Sequence, residues 1–198
     1  MPPDDTAVDA IAVAMRVADA IEAAKGSYFV GGSLASSLQG EPRATNDIDM
    51  VLELPLGRIG EFVALLGEEF EVDIDMLRDA LLHGRSCNIF YLPVVMKVDL
   101  FAMGASPYDE VEFARRRRVQ VRSTGETLLI KSPEDTVLRK LLWFREGGGI
   151  SERQWRDVTE VLRVSGAAMD RGYLQQWSQR LGIADLLERA RSQAEGSP

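Results

Sequence analysis

Two aspartates, Asp47 and Asp49, stand one residue apart in an otherwise apolar segment of the chain. Successive side chains of a β-strand point to opposite faces, so a strand here would place both carboxylates on one side and Ile48 and Met50 on the other. Like charges on one face destabilise the fold unless a cation neutralises them, and oxygen ligands favour Mg²⁺ or Mn²⁺ over zinc. The spacing therefore predicts a divalent-metal site. A solvated strand end, with both acids accepting N–H bonds from a loop, is the alternative.

Asp99 is the candidate for a third metal ligand. It stands between Val98 and Leu100 in a segment that reads as a strand, where a carboxylate without a partner is costly. Lys97, two residues away on the same face, could be a simple ion-pair partner. We prefer the metal interpretation because one requirement then explains all three acids.

A glycine turn, Gly31-Gly32, precedes the acid pair and is followed by Ser33. Residues without Cβ atoms let the backbone approach a ligand closely, and a helix that begins here would offer free N–H groups and a positive dipole. Taken alone, a tight turn with Ser33 as the N-cap would be the simpler explanation. With the two acids on the next strand, the combination favours phosphate binding.

The segments around these residues predict an α+β fold, in which a mixed β-sheet with flanking helices precedes a helical C-terminal part. Helices are expected over residues 6–25, ended by Gly26, and over residues 33–39, 59–66 and 75–83, with the pair Asp73 and Asp75 assigned to a helix start. Strands are expected over residues 27–30, 47–53, 70–72, 87–92, 96–102, 117–122 and 127–130. From the N-cap Ser132 onward the pattern is helical, with a break at Gly147-Gly148-Gly149 and a further helix starting near Ser151. We therefore divide the chain into a core over residues 1–131 and a helical region over residues 132–198.

Composition describes an ordinary globular protein with an acidic balance. The hydrophobic fraction is 45%, the charged fraction is 27%, and 31 acidic against 23 basic residues give a net charge of −8. That charge disfavours non-specific binding to long nucleic acid, although a local basic site would remain possible. A single cysteine fits a reducing compartment, and neither a signal peptide nor a membrane span is recognisable, so we expect a cytoplasmic protein without a membrane partner.

Four consecutive arginines, Arg115, Arg116, Arg117 and Arg118, form the one basic concentration. They could contact a triphosphate or a nucleic-acid acceptor. Strand alternation would send only half of them to any one face, so a charged edge strand that resists aggregation is the favoured explanation.

The acids and the glycine turn together resemble the signature of the nucleotidyltransferase superfamily that includes DNA polymerase beta. The matching motifs are Gly31-Gly32-Ser33, Asp47-Ile48-Asp49 and Val98-Asp99-Leu100. Within that superfamily, two longer phrases most resemble the AbiEii-like, toxin-type bacterial enzymes: Arg43-Ala44-Thr45-Asn46-Asp47-Ile48-Asp49 and Lys97-Val98-Asp99-Leu100-Phe101. The matched segments lie in roughly the first half of the chain.

The resemblance implies transfer of a nucleoside monophosphate from an NTP, ATP among the candidates, with Mg²⁺ or Mn²⁺ as cofactor. Carried onto this sequence, Gly31, Gly32 and Ser33 would hold the triphosphate. Asp47 and Asp49 would bind the metal, and Asp99 would share it and help to deprotonate the acceptor hydroxyl.

Lys140 is a further candidate for phosphate contact, because toxin-type relatives often carry a lysine where the helical part opens. Those relatives also tend to have a Lys-Asp pair on the next helix, and the matching place here reads Arg156-Asp157. The alternative for Lys140 is an ordinary basic residue on a solvated helix face.

The acceptor stays open at the level of sequence: RNA or a tRNA end, a protein side chain, or a small molecule such as an aminoglycoside. A silent nucleotide-binding regulator, or one half of a toxin–antitoxin pair with an antitoxin as partner, is the alternative function. A metal-dependent phosphohydrolase would need several histidines, and His83 is the only one.

Overall fold

The computed structural model describes residues 9–41, 45 and 47–196 of the 198-residue chain. These residues divide into two compact units. The sheet unit comprises the described residues up to Leu34 and those from Thr45 to Ile130. The helical unit comprises the described residues of 35–44 and those from Lys131 onward.

The sheet unit is built on seven strands: β1 (Ser27–Val30), β2 (Asp47–Glu53), β3 (Phe70–Glu71), β4 (Ser86–Tyr91), β5 (Met96–Ala102), β6 (Arg117–Gln120) and β7 (Thr127–Ile130). They lie in the order β3-β4-β5-β2-β1-β7-β6. The pairs β2–β5 and β1–β7 are parallel, and the other neighbours are antiparallel. The sheet is therefore mixed, and the predicted α+β fold class is confirmed.

Alternation along the central strands separates a buried face from an open one. Ile48 and Met50 of β2, and Val98 of β5, are fully buried, whereas the residues between them are half-buried or exposed. Helices α1 (Ala10–Ala23) and α4 (Ile74–His83) contact the sheet, and α3 (Ile59–Leu66) contacts both of these helices. The core of the sheet unit lies among these elements, and the polar residues of β2 and β5 are left on the opposite face.

A fourth helix of this unit, α5 (Pro107–Ala114), begins at a capping box in which Ser106 and Asp109 bond reciprocally. The Phe113 ring of α5 packs on the Phe29 ring of β1, with centroids 5.7 Å apart. Phe29 is the register partner of Val51, which lies on the open face of β2. Helix α5 therefore covers one end of the open face. The sequence analysis missed this helix.

The helical unit contains α6 (Pro133–Glu146), α7 (Glu152–Ser165), α8 (Arg171–Arg180) and α9 (Ala184–Gly196), while α2 (Gly32–Gln39) spans the division between the units. Ser132 caps α6 as predicted, and Ser151, near which a helix was expected to start, caps α7; each hydroxyl accepts from a backbone N–H three residues on. None of the helices in the described part of the chain is long and apolar enough to cross a membrane.

Most predicted strands agree with the structure to within two residues, and the predicted starts of the helices after strands β1 and β3 are confirmed to within one residue. The second Asp-x-Asp pair does start a helix, because Asp73 caps α4 and accepts from the N–H groups of Asp75 and Met76. The prediction that Gly26 ends the first helix is wrong by two residues. Helix α1 ends at Ala23, and Lys25 takes up a left-handed conformation with φ of 64°.

Candidate active site

Asp47, Asp49 and Asp99 lie on one face of two neighbouring parallel strands. Asp49 of β2 is the register partner of Asp99 of β5, and Asp47 is the register partner of Lys97. Partners in a parallel pair project to the same side of the sheet, so the three carboxylates share the open face. The Asp99 side chain is 14% exposed and that of Asp47 is 53% exposed. The structure thus brings together the three acids that the sequence singled out.

The glycine turn abuts the second of these acids. The Gly31 N–H donates to the backbone carbonyl of Asp49 over 2.8 Å. Gly32 begins α2 with φ of +56°, and a Cβ placed on it would stand 1.7 Å from Asp49 Oδ2. Only glycine fits there, because both the backbone conformation and the space exclude a side chain. The N-terminus of α2, with Ser33 as its second residue, therefore points its positive end toward the acid-bearing strand.

Lys97 is the cation that the structure places among the acids. Its Nζ lies 2.8 Å from Asp99 Oδ2 and 3.9 Å from Asp47 Oδ1. The pKa of the Lys97 ammonium is raised, first by the hydrogen bond to Asp99 and then by the negative charges of the neighbouring carboxylates. The ion pair weighed as an alternative for Asp99 is therefore present.

The residues on this face fit a hard divalent ion in their chemistry. Asp47, Asp49 and Asp99 supply carboxylate oxygens, the donors that Mg²⁺ prefers, and Gly32 leaves room for the Asp49 carboxylate. In the described residues, no three acidic, histidine or cysteine side chains are grouped closely enough to hold a metal ion as they stand. These three carboxylates are the groups that would hold the ion, with the Lys97 ammonium displaced from between Asp47 and Asp99.

Lys140 belongs to the helical unit and is not on a solvated helix face, so that alternative is wrong. Its Nζ lies 2.8 Å from Asp157 Oδ2, and the two side chains are 8% and 6% exposed. Asp157 is on α7, one helix further along the chain, where the sequence analysis noted Arg156-Asp157. The pair links α6 to α7. A phosphate contact by Lys140 stays a prediction.

The four arginines do not form one strand. Helix α5 ends at Ala114, Arg115 and Arg116 follow it, and β6 begins only at Arg117. The guanidinium of Arg116 lies over the Phe113 ring and donates to Ser27 Oγ, so its role is in packing. The expected alternation over all four residues is wrong for the first two.

The charged edge strand is confirmed for the last two arginines. Strand β6 lies at one edge of the sheet, and Arg118 pairs with Glu22 over 2.9 Å.

The sequence motif that leads into the acid pair is described only in part. Arg43, Ala44 and Asn46 lie outside the described residues. Thr45 is described, and its hydroxyl donates to the backbone carbonyl of Asp47.

Asn88 is a polar residue of this face that the sequence analysis missed. It lies on β4 and is the register partner of Asp99, on the side of β5 away from β2. Its exposed side chain alternates with the buried Cys87 and Ile89. That alternation was the available signal, but only the strand order shows that Asn88 lies beside Asp99.

The arrangement of strands and helices is shared with two solved proteins. An antigenic nucleotidyltransferase-like protein from Paracoccidioides brasiliensis is 19% identical, with a TM-score of 0.63 over 92% of this chain and 89% of that one. The structure of ANT(2")-Ia in complex with adenylyl-2"-tobramycin is 14% identical, with a TM-score of 0.52 over 86% of this chain and 95% of that one. The fold is that of the nucleotidyltransferases. No protein-family model and no curated protein sequence matches the chain.

Proposed function

We propose that the protein is a divalent-metal-dependent nucleotidyltransferase, which moves a nucleoside monophosphate from an NTP to an acceptor hydroxyl. The observation that carries the proposal is the register of Asp49 with Asp99, beside a glycine whose missing side chain leaves room for the Asp49 carboxylate. The fold shared with two nucleotidyltransferase-like proteins supports it further.

The glycine turn would receive the triphosphate. Anions bind well at helix N-termini, where backbone N–H groups and the helix dipole point at the ligand. Gly31 and Gly32 would allow the close approach, and Ser33 would add a hydroxyl donor. The AbiEii-like relationship, and the role of Lys140 as a second phosphate contact, belong to the same hypothesis.

The acids would act on the transferring group. A divalent ion held by Asp47, Asp49 and Asp99 would polarise the phosphorus and stabilise the leaving pyrophosphate. Asp99 would also accept the proton of the acceptor hydroxyl. The acceptor oxygen then bonds to the α-phosphorus as the bond from that phosphorus to the bridging oxygen breaks.

The acidic balance of the chain favours a positively charged acceptor. With a net charge of −8, the long-range electrostatic field of the protein would attract a cation and repel RNA. ANT(2")-Ia was solved with an adenylylated tobramycin. A polycationic small molecule of that kind is the acceptor we favour here, ahead of a tRNA end or a protein hydroxyl.

A radiolabel assay tests the proposal. The protein is incubated with Mg²⁺ or Mn²⁺ and each α-labelled NTP, together with tobramycin, bulk tRNA or protein extract. We expect transfer by the wild type, and a drop of about 100-fold or more in Asp47→Asn, Asp49→Asn and Asp99→Asn, since each loses a metal or proton contact. Asp75→Asn is the matched control, because Asp75 belongs to the other Asp-x-Asp pair and serves the start of α4.

Equal transfer by the Asp99→Asn variant and the wild type would contradict the assignment.

A second function, a silent nucleotide-binding regulator or antitoxin-bound component, is favoured by one observation: Lys97 already forms ion pairs with two of the acids. Tight NTP binding with no transfer to any acceptor would select that function.

A further inference from the structure

The Lys97 ammonium lies among the carboxylates that would bind a metal ion. Lys97 is opposite Asp47 across the β2–β5 pair, and its ammonium contacts Asp99 on its own strand while remaining within 4 Å of Asp47. A single positive charge thus bridges acids from two strands. The remaining acid of the face, Asp49, lies beside the glycine turn.

This ion pair can be exchanged. The Lys97 side chain is 36% exposed, and ion pairs that solvent reaches this well contribute little to stability. A lysine head is a compact charge on a flexible four-carbon stem, so it can leave one anion and reach another nearby. A divalent ion brings twice the charge to the same oxygens and cannot share them with an ammonium 2.8 Å away.

We propose that Lys97 is an exchangeable counter-ion, an inference that rests on the proposed function. Before substrate binds, Lys97 holds Asp99 and Asp47 and competes with the metal for them. When the metal–NTP complex binds, the ammonium leaves the carboxylates and contacts the triphosphate. Lys97 is therefore a positioning residue that makes metal binding and nucleotide binding cooperative.

Mn²⁺ binding measured by electron paramagnetic resonance, with no nucleotide present, tests the competition. We expect Lys97→Met to bind Mn²⁺ about two- to fivefold more tightly than the wild type, the effect of removing one partly exposed counter-ion. Lys97→Arg keeps the charge and should bind like the wild type. Lys25→Met is the matched control, because it removes the same charge from an exposed turn at the opposite end of β1 from Gly31.

The second half of the experiment adds an α,β-methylene NTP analogue, which binds but cannot react. In the wild type, the analogue should strengthen Mn²⁺ binding several-fold, and in Lys97→Met that gain should shrink while analogue affinity falls. Thermal unfolding of each variant verifies that it is folded. If Lys97→Met folds poorly, Lys97→Gln takes its place.

The outcomes separate this inference from the proposed function. Equal Mn²⁺ affinity in the wild type and Lys97→Met, or the same gain in Lys25→Met, overturns the role of Lys97 alone. Folded protein that binds no Mn²⁺ with or without the analogue overturns both. Tighter Mn²⁺ binding in Lys97→Met only, with reduced coupling to the analogue, supports the exchange.

Discussion

At the scale of single residues, Asp49 is the most constrained member of the candidate site. Its backbone carbonyl accepts from Gly31, its carboxylate fills the space beside Gly32, and its register partner is Asp99. These contacts come from two other segments of the chain, the glycine turn and β5. The position of Asp49 on the sheet is therefore fixed before any ligand arrives, which is what a site for a charged substrate requires.

Gly32→Ala should disturb this arrangement directly. The new methyl group would collide with Asp49 Oδ2, and the residue would keep a left-handed φ, so we expect a loss of about 1–3 kcal/mol of unfolding free energy and weakened NTP-analogue binding. Urea denaturation and calorimetric titration measure the two effects. The control is Gly60→Ala in α3, where a Cβ meets open space and helix propensity should raise stability by up to about 1 kcal/mol. Unaltered analogue binding in Gly32→Ala would contradict the proposed triphosphate site.

The sequence indicated the three acids and offered Lys97 as a possible partner of Asp99, but it did not indicate Asn88. Alternation along a strand is a local property, so Asp47 and Asp49 could be placed on one face from spacing alone. The pairing of Asp99 with Asn88 depends on which strands are neighbours, and that is decided by the whole sheet. Whether the Lys97 ammonium points to solvent or to Asp99 depends on its side-chain rotamer, which residue spacing does not determine.

At the scale of elements, two helices begin with the same chemistry and only one was predicted. Ser132-Pro133 opens α6 and Ser106-Pro107 opens α5, each with an aspartate three residues after the serine. The second signal was overlooked because α5 is only eight residues long and runs into four arginines, which read as part of a strand. At α5, the N-cap motif was therefore better evidence for a helix than the residue pattern that follows the motif.

The link between α6 and α7 depends on the buried pair of Lys140 and Asp157. Removing one partner takes away the 2.8 Å contact that the other buried charge makes, so Lys140→Met or Asp157→Leu alone should lower the unfolding free energy by about 3–5 kcal/mol. The double variant should lose much less than the sum, because both charges of the pair are then removed together. Chemical denaturation of the four proteins of this cycle measures the coupling. Additive losses would show that the two side chains do not act as a pair.

At the scale of the whole molecule, one buried phenol contributes to the dependence of stability on high pH. Tyr28 is 1% exposed, and burial raises its pKa above the usual value of 10.0, although its oxygen accepts from the Leu129 N–H. In the unfolded chain the same phenol ionises at its ordinary pKa. The folded state therefore retains a proton that the unfolded state releases, and stability falls as pH rises above 10.

Tyr28→Phe should flatten this dependence. The variant loses a hydrogen bond and is expected to be less stable than the wild type at neutral pH by about 1 kcal/mol. Above pH 10 the difference between the two proteins should narrow, because only the wild type has this phenol to ionise. Guanidinium denaturation at several pH values gives the two curves. If the stability of the two proteins fell in parallel with pH, a group other than Tyr28 would be responsible for the loss of stability above pH 10.

The interleaving of residues along β2 and β5 also has a use for protein engineering. Even-numbered positions from Ile48 to Leu52 supply the interior, while odd-numbered positions carry the carboxylates to the outside. The residues that form the core and the residues that carry the carboxylates therefore occupy separate, alternating positions of the same strand. Histidine or cysteine substituted for Asp47 would offer a softer ligand to a different metal, with the apolar layer beneath left as it is.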